Sequence, residues 1–202
     1  MAKTALKRMV GSAGRLLAAA AVVVAGTLVV APTSAQATPF PETWYADSSG
    51  HAFCFAGSGW TTEYKDVVYW SMDRLGQPTD MVTFLERNGP SPGACVSGTD
   101  IQWYVWNLPA GTRGQARCAD WASSNVCNSA VVDMDFAELD RGTDDWYDRR
   151  KTAVHEIGHT VGLGHHSPSA HDCAMISGEV PSRDMKWRTF HSHDIGHING
   201  RY

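Results

Sequence analysis

The sequence has no apolar run long enough to cross a bilayer. Its longest, Leu16–Ala31, is interrupted by Gly26 and Thr27 and falls short of the roughly 20 residues a spanning helix needs. Beyond residue 37 there is no internal repeat and no low-complexity linker, which argues for one continuous domain. Cysteine is sparse. The chain holds five, none in the paired spacing of a zinc knuckle. An excess of positive charge is also missing. The chain carries −4, and setting aside the four basic residues of segment 1–37 leaves −8 on the remainder, which argues against nucleic acid or an anionic membrane as partner.

The first 37 residues have their own logic. Lys3, Lys7, Arg8 and Arg15 form a basic start with no acidic residue, and the Ala- and Val-rich stretch follows. Ala35-Gln36-Ala37 then supplies the small residues of a cleavage site. The segment reads as a secretory signal peptide removed after Ala37. Lys7-Arg8 is not a twin arginine, so the general secretory route is expected. The mature protein would be 38–202, secreted and extracellular, monomeric, with no membrane attachment after cleavage. One domain of that length can bury a proper core. An oxidising destination favours disulfides. Cys118–Cys127, closing a small loop, is the first candidate and Cys54–Cys95 the second, although spacing alone does not fix pairing.

The most informative segment is His155-Glu156-Ile157-Gly158-His159-Thr160-Val161-Gly162-Leu163-Gly164-His165. On a helix His155 and His159 share a face one turn apart, so two imidazoles can hold one cation. Glu156 lies about 100° round the helix, within reach of a water on that cation without being a ligand. Gly162 tolerates the left-handed backbone that ends a helix, letting the chain fold back and deliver His165. Three imidazoles with an open fourth position is a catalytic zinc arrangement. His166 follows directly, and a one-residue slip would exchange it with His165. Spacing favours His165 and leaves His166 as a solvated residue or a support behind the ligands. The remaining histidines, His51, His171, His191, His193 and His197, are read as structural or exposed.

This eleven-residue pattern resembles the signature of the metzincin clan of zinc peptidases, in which a Met-turn follows the third histidine. Asp172-Cys173-Ala174-Met175-Ile176-Ser177-Gly178 supplies the turn. The resemblance implies one catalytic Zn2+ held by His155, His159 and His165, Met175 as an apolar floor beneath it, and peptide-bond hydrolysis by a metal-activated water with Glu156 as general base. Some metzincins carry a tyrosine two residues after the methionine. Here that residue is Ser177, so no phenol is assigned to the oxyanion. A non-catalytic zinc protein and a non-peptidase zinc hydrolase stand as alternatives.

Periodicity places the elements around the motif. Residues 52–56 form a first strand. Tyr64, Val67, Val68, Ser71, Met72 and Leu75 make one stripe of a helix capped at Thr61 or Thr62. Strands follow at 81–86, 101–106, weakly at 113–118, and at 130–136, with Asn88–Gly93 as a turn cluster. A long helix capped at Thr143 carries the motif, with Trp146, Ala153, Ile157 and Val161 toward the sheet, and a last helix starts at Ser192. This order resembles the matrixin family of metzincins. The resemblance implies an α+β fold: a twisted five-stranded mixed sheet, the zinc-binding helix, the Met-turn and a C-terminal helix. An extended polypeptide substrate would pair with an edge strand near 113–118. The pro-segment and cysteine switch of matrixins have no counterpart here. The acidic run Asp133, Asp135, Glu138, Asp140, Asp144, Asp145 and Asp148 matches no EF-hand. It is read as a solvated face, with structural Ca2+ as the alternative.

Overall fold

The segment around Cys54 is the spine of the sheet. After a two-residue strand β1 (Tyr45–Ala46), β2 (Gly50–Ala56) is buried at every position but its first. It takes β3 (Val82–Leu85) as a parallel neighbour on one side and β4 (Ile101–Val105) on the other. β4 pairs in parallel with β6 (Val126–Met134), and β6 pairs antiparallel with β5 (Gly114–Ser123). The computed structural model describes residues 40–41, 43–86, 89, 91–167 and 171–202. The expected signal segment 1–37, and Asn88 and Pro90 of the turn cluster, lie outside them. The fold is α+β with a mostly parallel sheet.

Six strands replace the expected five. The extra one is β1, which joins β6 through Tyr45↔Val126 and is too short to carry an alternation. β5 and β6 are also offset from the expected 113–118 and 130–136. Asn125, with φ 64°, turns the chain between them, so the hairpin extends through a half of β5 that is exposed and lacks an apolar pattern. β6 stops at Met134 because Asp135 redirects the chain. Its carboxylate accepts from the N–H groups of Leu108 and Glu138, capping a short helix α2 (Phe136–Leu139) that periodicity did not foresee.

Helix α1 (Thr62–Gly76) starts where Thr61 caps it through the Tyr64 N–H, and it buries Val67, Val68, Ser71, Met72 and Leu75, the expected stripe. Helix α3 (Asp145–Thr160) packs against α1 and along β5. It is capped at Asp144, not Thr143, and that carboxylate pairs with Arg183. Trp146 does not face the sheet. It is 44% exposed, with the Arg150 guanidinium 3.9 Å above its ring. Burial begins at Asp148, and from Lys151 to Gly158 every residue is buried. The acidic run is likewise no solvated face. Asp133, Asp135 and Asp148 are buried, and Asp140 holds Arg149.

Both disulfides form as expected, Cys54–Cys95 and Cys118–Cys127, leaving Cys173 as the one free thiol. The first ties β2 to the loop before β4. The second staples the β5–β6 hairpin. After α3 come the Met175 turn, a short 3-10 turn at Met185–Arg188, and helix α4 (Ser192–Arg201), which begins where expected. Among the described residues no helix is long and apolar enough to cross a membrane.

Candidate metal and hydrolytic site

Helix α3 delivers the first two histidines and its end delivers the third. The chain leaves α3 at Val161, and Gly162 takes φ 98°. A Cβ there would sit 3.0 Å from Phe40 Cε2 and 3.2 Å from Tyr45 Cβ, so glycine is required for space as well as for conformation. The chain then doubles back. His159 Nε2 lies 3.1 Å from both His155 Nε2 and His165 Nε2.

The opposite ring edges settle what those nitrogens are. His155 Nδ1 is 2.8 Å from the Ala174 carbonyl, and His159 Nδ1 is 2.7 Å from the Leu163 carbonyl. A carbonyl only accepts, so each Nδ1 carries the hydrogen and each Nε2 of the neutral rings presents a lone pair. Burial, helped by Lys151 and His159, holds the His155 imidazole well below its ordinary pKa and therefore neutral. Lone pairs 3.1 Å apart repel one another, and a cation between them removes the conflict. A tetrahedral zinc site with Zn–N of about 2.0–2.1 Å would space its nitrogens by about 3.3 Å. The donor set and its carbonyl supports fit such an ion.

Glu156 lies beside this cluster and is 6% exposed. Burial pushes its carboxyl up to about 7, opposed by the Lys151 ammonium and by the Ala116 N–H that it accepts. Positive charge added by a cation on the three imidazoles would favour its ionised form. Edge strand β5 comes close here. A Cβ on Gly114 would meet Thr152 Cγ2 at 2.7 Å and Glu156 Cγ at 2.8 Å. Gly114 thus lets the strand lie on the helix, a role that periodicity could not reveal.

Met175 is fully buried under α3. A Cβ on Gly158 would fall 2.5 Å from Met175 Sδ and 2.9 Å from Phe190 Cε1. The small residue between the two helical histidines is therefore the seat of the methionine. The turn is held from both sides: Ala174 O by His155, and Met175 O by the His166 N–H at 3.0 Å.

Around these groups opens a cleft of about 530 Å³. One wall is Arg113–Ala116 at the start of β5, and the opposite wall is Ser177–Glu179 after the Met175 turn, with Asp148, Lys151 and Thr152 between them. Arg113 and Glu179 form an ion pair of 2.7 Å from wall to wall. Burial lowers the Lys151 ammonium to about 8, and its Nζ donates to the Ile176 carbonyl. Among the described strands β5 pairs with β6 alone, so its other edge is open toward the cleft.

The structure brings His155, Glu156, His159 and His165 together at one end of the cleft. His166 is not solvated. It is 4% exposed and its Nε2 lies 2.7 Å from Asp194 Oδ1. Sequence reasoning also missed a second convergence. Among the described residues two groups of ligand-type side chains meet, the three histidines of the cleft and a buried trio of His166, Cys173 and Asp194. Neither is an acidic cluster of the kind calcium takes. No protein-family model matches the chain, and no curated protein is significantly similar to it.

Proposed function

We propose that the chain is a secreted zinc-dependent endopeptidase of the metzincin type, resembling the matrixins in organisation. The observation that carries the reading is the convergence of three histidine Nε2 atoms, with the His155 and His159 rings fixed by carbonyls and a buried carboxylate alongside. His155, His159 and His165 would hold the ion. Bound there, zinc supplies Lewis acidity toward the scissile carbonyl and acidifies a water.

The residues of the chain do the rest. The open edge of β5 takes an extended peptide by strand addition, which aligns its backbone over the histidines. Glu156 accepts a proton from the attacking water and returns it to the leaving nitrogen. Ser177 lines the cleft where a tyrosine would otherwise aid the oxyanion, so no phenol takes part. The two disulfides agree with export to an oxidising compartment.

The test is digestion of an unfolded protein or peptide library by wild type and Glu156→Gln, with metal content measured on both. Cleavage should drop by roughly 10²–10⁴-fold while metal stays bound. Normal cleavage by the variant removes Glu156 as the base. A metal-loaded wild type that leaves every peptide intact points instead to a non-catalytic zinc protein or a non-peptidase zinc hydrolase.

A further inference from the structure

His166, Cys173 and Asp194 come from three places in the chain: the residue after the third cleft histidine, the Met175 turn, and α4. Their ligand atoms all lie within 4.8 Å of one another and all three residues are buried. We propose that they form a second metal site, a closed structural one for zinc or a similar N/S/O-binding divalent ion, with His171 as the fourth ligand.

The donor types and their surroundings carry the argument. Imidazole, thiolate and carboxylate are the three ligand classes zinc accepts, and four protein ligands with no open position define a structural site. The Cys173 sulfur accepts two backbone N–H groups, from Met175 and His191. Such donors favour an anionic sulfur, the form in which cysteine ligates a metal. Thiolate, carboxylate and two neutral imidazoles around a divalent ion sum to zero, which suits a site whose His166, Cys173 and Asp194 are buried. His171 supplies an independent sign. Its Nε2 is buried without a hydrogen-bond partner, and its ring stands edge-on to His166 with centroids 5.1 Å apart. Tetrahedral ligation needs donor separations of about 3.3–3.7 Å. The 2.7 Å His166–Asp194 contact would open slightly, and His171 would turn inward about its side-chain bonds. Binding releases the Cys173 proton.

Such an ion would clamp the Met175 turn to α4 and fix the backbone of His165 through its neighbour. It takes no part in peptide hydrolysis, so the inference stands or falls separately from the proposed activity. Cobalt loading of the disulfide-intact protein tests it. Cys173 is the one free thiol, so a thiolate-to-cobalt charge-transfer band in the near ultraviolet can arise only at this site. The expected result is that band in wild type with two metal equivalents per chain. In His159→Ala the band should persist with one equivalent, and in Cys173→Ser it should vanish with one equivalent. A wild type that binds cobalt without the band overturns the proposal, as does an unchanged stoichiometry in Cys173→Ser. The wild-type spectrum decides the matter even where a variant fails to fold.

Discussion

His165 and His166 are neighbours in the chain and end in opposite environments. His165 is exposed on the cleft with its Nε2 toward the other two histidines. His166 is buried on the other side against Asp194. The cause is local. His166 bridges Ile176 in parallel β fashion, and extended backbone sends successive side chains to opposite faces. One strand-like residue pair therefore serves two clusters, an open one that faces the cleft and a closed one that faces the core. The second holds the Met175 turn through the His166 N–H.

Removing each histidine separates the two roles, and this is the largest effect expected. His165→Ala should lose the cleft metal and more than about 10²-fold of peptidase activity, since losing even a supporting contact to a ligand costs about 10–100-fold. Its fold should survive, because the side chain is exposed. His166→Ala takes the imidazole from Asp194, which keeps the His191 N–H; losing a hydrogen bond to a buried charged group costs about 1.5–3 kcal/mol and should lower Tm by roughly 5–10 °C. Calorimetry and a peptide assay on both variants check this. Equal stability losses would mean that His165 is as structural as its neighbour.

How much of this was legible in the sequence follows from what each feature depends on. The cleft cluster was legible because His155, Glu156, His159, Gly162 and His165 lie within one turn-and-a-half of helix and its exit, where spacing is geometry. The α1 stripe was legible for the same reason. The closed trio was not, because positions 166, 173 and 194 share no period and meet only when the Met175 turn and α4 pack together. Gly114 and Gly158 were silent too. Their importance lies in what a Cβ would strike, and that depends on the partner element. β1 has two residues and no pattern, and Trp146 kept the helical phase of Ala153 while lying beyond the buried part of α3.

A third histidine sharpens the contrast between open and closed surroundings. His51 is 1% exposed, and its ring bonds a hydroxyl, Thr160 Oγ1 at 2.9 Å, where His166 has a carboxylate. Burial lowers its pKa from 6.5 to about 4. The folded state therefore prefers the neutral ring. The stability this contributes is complete above pH 6.5 and is lost as pH falls toward 4, amounting to about 3 kcal/mol. Asp100 works in the opposite sense. Burial raises it from 3.8 to about 6, so its contribution is lost as pH rises through 6 and regained as pH falls toward 3.8. Between pH 7 and pH 4 the urea midpoint of His51→Gln should rise relative to that of wild type, because the variant lacks the ring whose protonation destabilises the folded state. Parallel curves for the two proteins would show that His51 is not the acid-sensitive group.

Two glycines give the finest test, because each sits on a helix that serves one of the two clusters. Gly158 lies between His155 and His159, and a methyl there would strike Met175 Sδ and Phe190. Gly158→Ala should cost about 1–3 kcal/mol by overpacking and weaken metal binding in the cleft as Met175 is displaced. Gly196 lies on α4, two residues past Asp194, with nothing within 4 Å of the place its Cβ would take. There the gain in helix propensity is unopposed, and Gly196→Ala should stabilise by about 0.5–1 kcal/mol. Thermal unfolding of both variants, with metal titration on the first, measures the pair. Opposite signs mean that contact with Met175, and not the removal of a helical glycine, controls the outcome at Gly158. A stabilised Gly158→Ala with wild-type metal affinity would detach Met175 from the floor of the cleft and leave the closed cluster without a route to the open one.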